Sequence, residues 1–391
     1  MSRRLHVHHV ITKLELGGAQ QNTLYCVTNH DRSRFTVSLA AGPGGIMDED
    51  ARRIPDATVE FVPSLRREVR PWADLRFLLS YARYLRRNKV DILHTHSSKA
   101  GILGRFAGAL AGVPVIIHTV HGWGFHDYQS WLVRALYVGL EKLAVRHTDL
   151  LIAVSRENVE RGLAEGIGVP SLYRVIRSGI DVSSFRTASR PAAEVRKELG
   201  IPEGAPVVGT VGNFKPQKAP LDFIKVAALV IREIPDARFV MLGDGELLGA
   251  SRELAASLGI ADRVVFAGWR RDVTDCLHSF NVFLLSSLFE GLPRSVLQAM
   301  SAGLPVVATA AGGTPEAVRD GVTGHVTARG DVEAMARHVT ALLKDPARAR
   351  AFGEAGLKAI GEEFEITRML RDIEAAYMET AARKGLAPKE G

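Results

Sequence analysis

A chain of 391 residues, 46% hydrophobic and 24% charged, has apolar material for two sizeable cores and the profile of a globular protein, which sets aside disordered and fibrous classes. No stretch reaches the roughly 18 uncharged apolar residues of a membrane span. Its two cysteines, Cys26 and Cys276, exclude a disulfide framework or a cysteine metal site and fit a reducing cytosol. The net charge of +7 sits in one half: residues 1–187 carry 25 Lys and Arg against 17 Asp and Glu, whereas residues 188–391 carry 25 against 26. A basic half expects an anionic partner, such as a phosphate-bearing substrate or a membrane surface.

The start, MSRRLHVHHVI, has no small-residue cleavage site and reads as a first strand, not as a signal peptide. Strand candidates follow in order: 5–11, 35–42, 91–96, 113–120 and 150–155, then 206–212, 238–245, 264–268, 281–287 and 304–310. Continuous apolar strands separated by helical stretches mean parallel sheets covered on both faces. The expected fold is therefore α/β, with two Rossmann-like doubly wound domains facing a cleft. The polar stretch SGIDVSSFRTASRPAAE (178–194) marks the join, giving domains of 1–187 and 188–391. The final helix, about 364–385, is expected to pack back on the first domain.

Ligands of open parallel sheets bind where strands end and helices begin, so chemistry is sought in those turns. LELGGAQQ (14–21) places Gly17 and Gly18 where a backbone can approach a phosphate at a helix start. HTHSSKAGILGR (94–105) ends a strand with His94 and His96 and opens a helix, with Ser97 or Ser98 as its cap. Lys99 and Arg105 are expected to add positive charge there. HTVHGWGF (118–125) presents His121 at the next strand end, where a histidine can hydrogen-bond a sugar hydroxyl or a phosphate.

In the second half, GNFKPQKAPLDFIKVA (212–227) sets Lys215 and Lys218 beside a helix that begins near Pro220, an arrangement suited to a diphosphate. FEGLPRSVLQAM (289–300) sets the carboxylate of Glu290 at a strand end, where a polyol can donate to it. Pro293 then opens a helix from about Arg294 whose free N–H groups suit a phosphate. TAAGGTPEAV (309–318) repeats the device.

These turns together resemble the family 4 retaining glycosyltransferases of the two-Rossmann GT-B fold. The similarity runs from the glycine pair to DGVTGHV at 320–326, and HTHSSKAGILGR followed by AGVPVIIHTVHGWGF looks most like the bacterial members that build surface polysaccharides, lipopolysaccharide among them, and lipid-linked oligosaccharides. The resemblance implies that a nucleotide-diphospho-sugar, a UDP-sugar above all, binds mainly to the second domain and the acceptor mainly to the first. It implies transfer of a hexose or N-acetylhexosamine with retained configuration, no metal and no cofactor. By motif, His121, Glu290 and Lys218 carry the reaction. Gly17, Gly18, Asn213, Lys215 and Gly243 join the donor site, and so does the run Gly291, Leu292, Pro293, Ser295, Val296. Two positions depart from the family pattern. Asn213 stands where an arginine is usual, with Lys215 as the substitute charge. Gln298 stands where a second glutamate normally binds the ribose, which leaves a neutral hydrogen bond where a charge-assisted one is usual.

LRREVRPWADLRFLLSYARYLRRNK (65–89) holds eight basic and two acidic residues. Leu75, Leu78, Leu79, Ala82 and Leu85 are expected to form its buried stripe, and Arg76, Arg83 and Arg87 a separate basic face. With His96 and Lys99, those arginines are the expected contacts to a glycan or polyprenyl-diphosphate acceptor or to an anionic inner-membrane surface. The chain is thus expected to be cytoplasmic and peripheral at the inner face of the cytoplasmic membrane. The alternatives are an epimerase of nucleotide sugars on the same fold and a non-catalytic nucleotide-sugar-binding subunit. Nucleic acid is not an expected partner, because no reader motif or aromatic interleaving accompanies the basic run.

Overall fold

The computed structural model describes residues 3–386. The chain forms two compact units: one runs up to Ser178 and resumes from Thr367, and the other is Gly179–Ile366. The change of unit comes earlier than the composition implies. The polar stretch after Ser178 is built into the second unit: the Ile180 N–H donates to Phe364 O at 2.9 Å and the Ile366 N–H to Ile180 O at 2.9 Å. The Ser189 N–H and hydroxyl both donate to Asp275.

In the first unit, seven parallel strands alternate with helices. The strands are β1 (Leu5–Lys13), β2 (Phe35–Gly42), β3 (Ala57–Phe61), β4 (Ile92–His96), β5 (Val115–Val120), β6 (Leu150–Ala153) and β7 (Tyr173–Val175). The helices are α1 (Gly18–Asn29), α2 (Asp48–Arg52), α3 (Pro71–Arg87), α4 (Ser98–Ala111), α5 (Trp131–Ala144) and α6 (Arg156–Ala164). Their order across the sheet is β3-β2-β1-β4-β5-β6-β7. The second unit has six: β8 (Val207–Val211), β9 (Arg238–Leu242), β10 (Val264–Gly268), β11 (Val282–Leu285), β12 (Val306–Thr309) and β13 (Gly324–Thr327), in the order β10-β9-β8-β11-β12-β13. Its helices are α7 (Ala192–Glu198), α8 (Pro220–Glu233), α9 (Leu248–Ser257), α10 (Val273–His278), α11 (Arg294–Ser301), α12 (Thr314–Ala317), α13 (Val332–Lys344) and α14 (Pro346–Ala359). The last helix, α15 (Ile366–Arg383), belongs to the first unit from Thr367 on. Strands β4, β5, β6, β11 and β12 are buried along their whole length, which is why they read as unbroken apolar runs. The three strands absent from the sequence reading, β3, β7 and β13, are short and lie at sheet edges, where one flank is unpaired and no long apolar run is needed.

The strand order reverses between β1 and β4 in the first sheet and between β8 and β11 in the second. The mouth of a doubly wound sheet opens at that reversal, because the chain leaves the two strands in opposite directions. The glycine pair follows β1, His94 and His96 lie at the end of β4, and His121 follows β5. Lys218 follows β8, and Glu290 follows β11.

Two expectations about helix faces are overturned. In α3 the core takes Phe77, Tyr81, Ala82 and Leu85, while Leu75 and Leu79 face solvent. The aromatic rings bury more apolar surface than the leucines would, so they set the rotation of the helix. Arg105 adds no surface charge at all. It is fully buried in α4 and paired at 2.6 Å with Glu141, itself buried in α5.

Candidate functional site

In the first unit, the β1–β4 register sets His9 opposite His94, and the two-residue period of a strand puts His96 on the same face. β5 continues the pattern, with Thr119 opposite His96 and His121 two residues further on. The outcome is a row of imidazoles. His121 Nε2 lies 3.1 Å from His96 Nδ1, and His96 Nε2 lies 3.0 Å from His9 Nδ1. His9 Nε2 lies 3.0 Å from His30 Nε2, at the end of α1, and His30 Nδ1 lies 2.9 Å from Glu374 of α15. His94 is bonded to Thr119 at 2.6 Å and to the buried Tyr377 hydroxyl of α15. His96 and His121 line a small cavity with Asn22, Thr23, Cys26 and Thr119.

Burial holds His9, His94 and His96 neutral, pushing each well below the usual imidazole range, with neighbouring histidines adding to the effect. His9, His94 and His96 also stand at metal-ligand spacing. All six of their ring nitrogens are nonetheless within hydrogen-bond distance of His30, His121, Tyr377, Thr119 or one another. A metal would have to break several of these bonds, so the donor set reads as a hydrogen-bonded network.

The turn before α4 is organised from β1. Ser97 occupies the cap position with φ 61° and ψ 158°, yet its side chain makes no cap bond. Its hydroxyl meets the Thr12 hydroxyl at 2.8 Å and accepts from the Thr12 N–H at 3.1 Å, while the Thr12 hydroxyl accepts the Ala100 N–H of the first helical turn at 3.1 Å. Thr12, not Ser97 or Ser98, caps the helix. Such backbone is nearly confined to glycine, and a residue held there marks a site over-determined by its surroundings; here it fixes the strand end that carries His96. Gly17 and Gly18 open α1 without left-handed backbone: Gly17 has φ −171°. Two calls on acceptor contacts change. His96 is buried, with both nitrogens bonded within the row. Lys99 is neutralised by Asp74 at 2.6 Å, with both side chains largely covered. Arg76, Arg83 and Arg87 are exposed on α3.

In the second unit, Lys218 Nζ lies 2.6 Å from Glu290 Oε1, which also accepts the Ser287 hydroxyl at 2.6 Å. The Lys218 side chain is 22% exposed and that of Glu290 7%. Ala219 follows Lys218 with φ 44° and ψ 55°, a conformation that costs an alanine on the order of 1–2 kcal/mol. The Ser286 hydroxyl, which bonds the carbonyls of Lys218 and Ala219 at 3.0 Å each, holds it there. The Glu290 turn is pinned by Gly313, whose N–H donates to Gly291 O at 2.7 Å. Gly312 has φ +53°, and a Cβ on it would lie 2.1 Å from Glu290 O, so only glycine allows this approach.

Pro293 is the cap residue of α11 and Arg294 its first helical residue, so the proline stands one position before the first turn. Val296 and Leu292 are buried beneath the turn. The Ser295 hydroxyl is buried with no hydrogen-bond partner among the described residues, an unmet donor and acceptor at a helix N-terminus. Burial lowers the Arg294 guanidinium to about 10. Gln298 is half-buried one turn further along α11. Asn213 and Lys218 line a small cavity at the end of β8 with Phe214 and Ser286. Lys215 occupies the cap position of the short turn that carries Lys218. Gly243 is accounted for by packing, since a Cβ there would lie 1.9 Å from Gly212 O. Sequence reading missed Ser287, Arg294 and Ser295's unmet hydroxyl in this unit, and His9, His30, Glu374 and Tyr377 in the other. Histidines two apart at adjoining strand ends were a usable signal for the row; nothing local announced Glu374.

Residues 16–184 match the family described as Glycosyltransferase Family 4, and residues 192–359 match Glycosyl transferases group 1. The chain is 31% identical over 388 residues, 97% of its length and 98% of the relative's, to the UDP-Gal:alpha-D-GlcNAc-diphosphoundecaprenol alpha-1,3-galactosyltransferase of Escherichia coli. It is 27% identical to the N-acetyl-alpha-D-glucosaminyl L-malate synthase of Bacillus anthracis, covering 78% of this chain and 79% of that one. Among solved structures, Anabaena Alr3699/HepE in complex with UDP and glucose superposes with a TM-score of 0.82 at 21% identity, over 96% of this chain and 100% of that one. The chain belongs to glycosyltransferase family 4 and is a glycosyltransferase with the two Rossmann-like domains of the GT-B fold.

Proposed function

We propose that this glycosyltransferase moves a hexose or N-acetylhexosamine from a UDP-sugar to a lipid-linked glycan acceptor of cell-surface polysaccharide assembly, retaining the anomeric configuration and using no metal. The observation that carries the donor reading is the Lys218–Glu290 pair at 2.6 Å at the reversal of the second sheet. One member can take a diphosphate and the other the hydroxyls of a sugar, and they stand ready next to each other. The unmet Ser295 hydroxyl adds a neutral donor for a phosphate, and the N-terminus of α11 adds the positive end of a helix dipole. Lys218, Lys215 and Arg294 supply fixed positive charge on the leaving-group side, which is the stabilisation a metal would otherwise give. Lys215 then replaces the charge that Asn213 lacks, and Gln298 takes the ribose. By motif, Gly18 approaches the diphosphate and His121 the transferred sugar.

Support for the substrates comes from the relatives: the Escherichia coli protein's name specifies UDP-Gal and a diphosphoundecaprenol-linked acceptor, and the Anabaena structure contains UDP and glucose. Transfer rather than epimerisation is the activity that the Escherichia coli protein's name carries.

The acceptor side rests on α3. Trp72 is 85% exposed, and Leu75 and Leu79 are exposed with it, beside Arg76, Arg83 and Arg87. An apolar and cationic face of this kind suits the headgroup layer of an anionic bilayer, where a polyprenyl-linked acceptor resides. Among the described residues no helix is long and apolar enough to cross a membrane, and the contact we propose is a peripheral one. The test is transfer from a panel of UDP-sugars to a polyprenyl-diphosphate-linked sugar, with the anomeric configuration of the product read by NMR. Retention supports the reading; inversion refutes it.

A further inference from the structure

The imidazole row ends on a carboxylate, and that end dictates the protons of all the rest. Four hydrogen bonds of 2.9–3.1 Å join Glu374, His30, His9, His96 and His121 in series. Each nitrogen–nitrogen bond holds one proton, and a neutral ring has one N–H and one lone pair. A carboxylate only accepts, so His30 donates from Nδ1 and offers its lone pair at Nε2. His9 must then donate from Nε2 and accept at Nδ1. His96 must donate from Nε2 to His9, and His121 from Nε2 to His96. Counting therefore leaves His121 with its lone pair on Nδ1.

Rings able to carry such an order must be neutral and screened from water. His9, His30 and His96 are 0–3% exposed, and burial lowers all three, His30 against the opposing pull of Glu374. Glu374 is itself nearly buried and fixed by a second bond, from the Asp31 N–H at 2.9 Å to the same oxygen. All five residues belong to the first unit.

We propose that Glu374 is a positioning residue which, through His30, His9 and His96, fixes the His121 ring as its Nε2–H tautomer and presents an Nδ1 lone pair to a hydroxyl of the transferred sugar. The last clause rests on the sugar-contacting role proposed for His121; the tautomer assignment does not. A tautomer set in advance accepts a hydroxyl proton without first rearranging, and preorganisation of this kind strengthens an interaction in the transition state. Protonating Glu374 reverses every bond in the row and moves the N–H of His121 to Nδ1, so the far ring reports the state of the carboxylate.

Long-range 1H–15N correlation spectra of histidine-labelled protein, with His121 assigned from the His121→Phe variant, read the tautomer directly. The wild-type protein is expected to show His121 with N–H at Nε2 and a bare Nδ1. Nδ1–H in the wild type overturns the proposal whether or not the protein transfers sugar. Glu374→Leu is expected to mix the two His121 tautomers and to lower kcat about tenfold or more with the donor KM within about twofold. Glu374→Gln, whose amide oxygen can still accept from His30, is expected to restore both. An unchanged His121 tautomer in folded Glu374→Leu overturns the relay. A tautomer that follows Glu374 with kcat unmoved supports the relay and sinks the sugar contact of His121.

Discussion

Lys218 and Glu290, 72 residues apart, neutralise each other across 2.6 Å, and Ser287 donates to the same carboxylate oxygen. Two strands that are neighbours only because the sheet is doubly wound bring them together. On the proposed reading the pair serves the donor more than stability. Lys218 keeps partial access to water, so its attraction is weakened by solvent, and the Ser287 bond survives its removal.

Replacing Glu290 by Gln keeps the shape and leaves Ser287 a partner. It should cost about 1 kcal/mol of stability or less while reducing kcat/KM by about 100-fold or more. Thermal unfolding and steady-state rates on the same preparation check this. A large fall in Tm with rates retained would make the pair structural.

Gln298→Glu should tighten donor binding. A charge-assisted bond in place of a neutral one is worth about 1 kcal/mol, or roughly fivefold in Kd, at calorimetric titration of UDP. An unchanged affinity would remove Gln298 from the ribose.

Acid should unfold this protein early. His9, His94, His96 and His118 are held well below 6.5, and His8 is pushed down to about 3, in each case first by burial. Above pH 6.5 folded and unfolded rings are both neutral and contribute nothing to pH dependence. Below it the unfolded rings take up protons that the folded ones refuse, so stability falls with pH at about 1.4 kcal/mol per unit for each ring. Tm should be flat from pH 8 to 7 and drop steeply between 6.5 and 5. Equal Tm at pH 7.5 and 5.5 would contradict the neutral, buried row.

The α3 face should bind anionic liposomes. Arg83, Arg86 and Arg87 replaced together by Gln, and Trp72 by Ala, should each reduce co-sedimentation several-fold, the arginine set more strongly at low salt. Co-sedimentation unaffected by both changes would end the membrane reading.

Much of the fold was legible because central parallel strands are buried on both faces and therefore apolar along their length. The edge strands β3, β7 and β13 were not, since a half-covered strand needs no such run. Turns were legible where a strand-to-helix junction is encoded locally, as at Lys218, Glu290 and His121. What stayed hidden depends on partners distant in sequence. Arg105 looked like surface charge until Glu141 met it in the interior. Thr12 caps a helix that begins 86 residues later, at Ser98. Leu75 and Leu79 fit a helical stripe as well as Phe77 and Tyr81 do, and only the sheet beneath decides which side turns inward. Glu374 reaches His30 across 344 positions, so the proton order of the row was invisible to any local pattern.

The most direct measurement is nucleotide release from a panel of UDP-, GDP- and ADP-sugars in EDTA, with and without a membrane-lipid extract, for the wild-type protein beside Glu290→Ala. The account predicts release from a UDP-sugar, increased by the lipid, undiminished by EDTA and lost in Glu290→Ala. Release that requires a divalent cation, or that persists in Glu290→Ala, would contradict it.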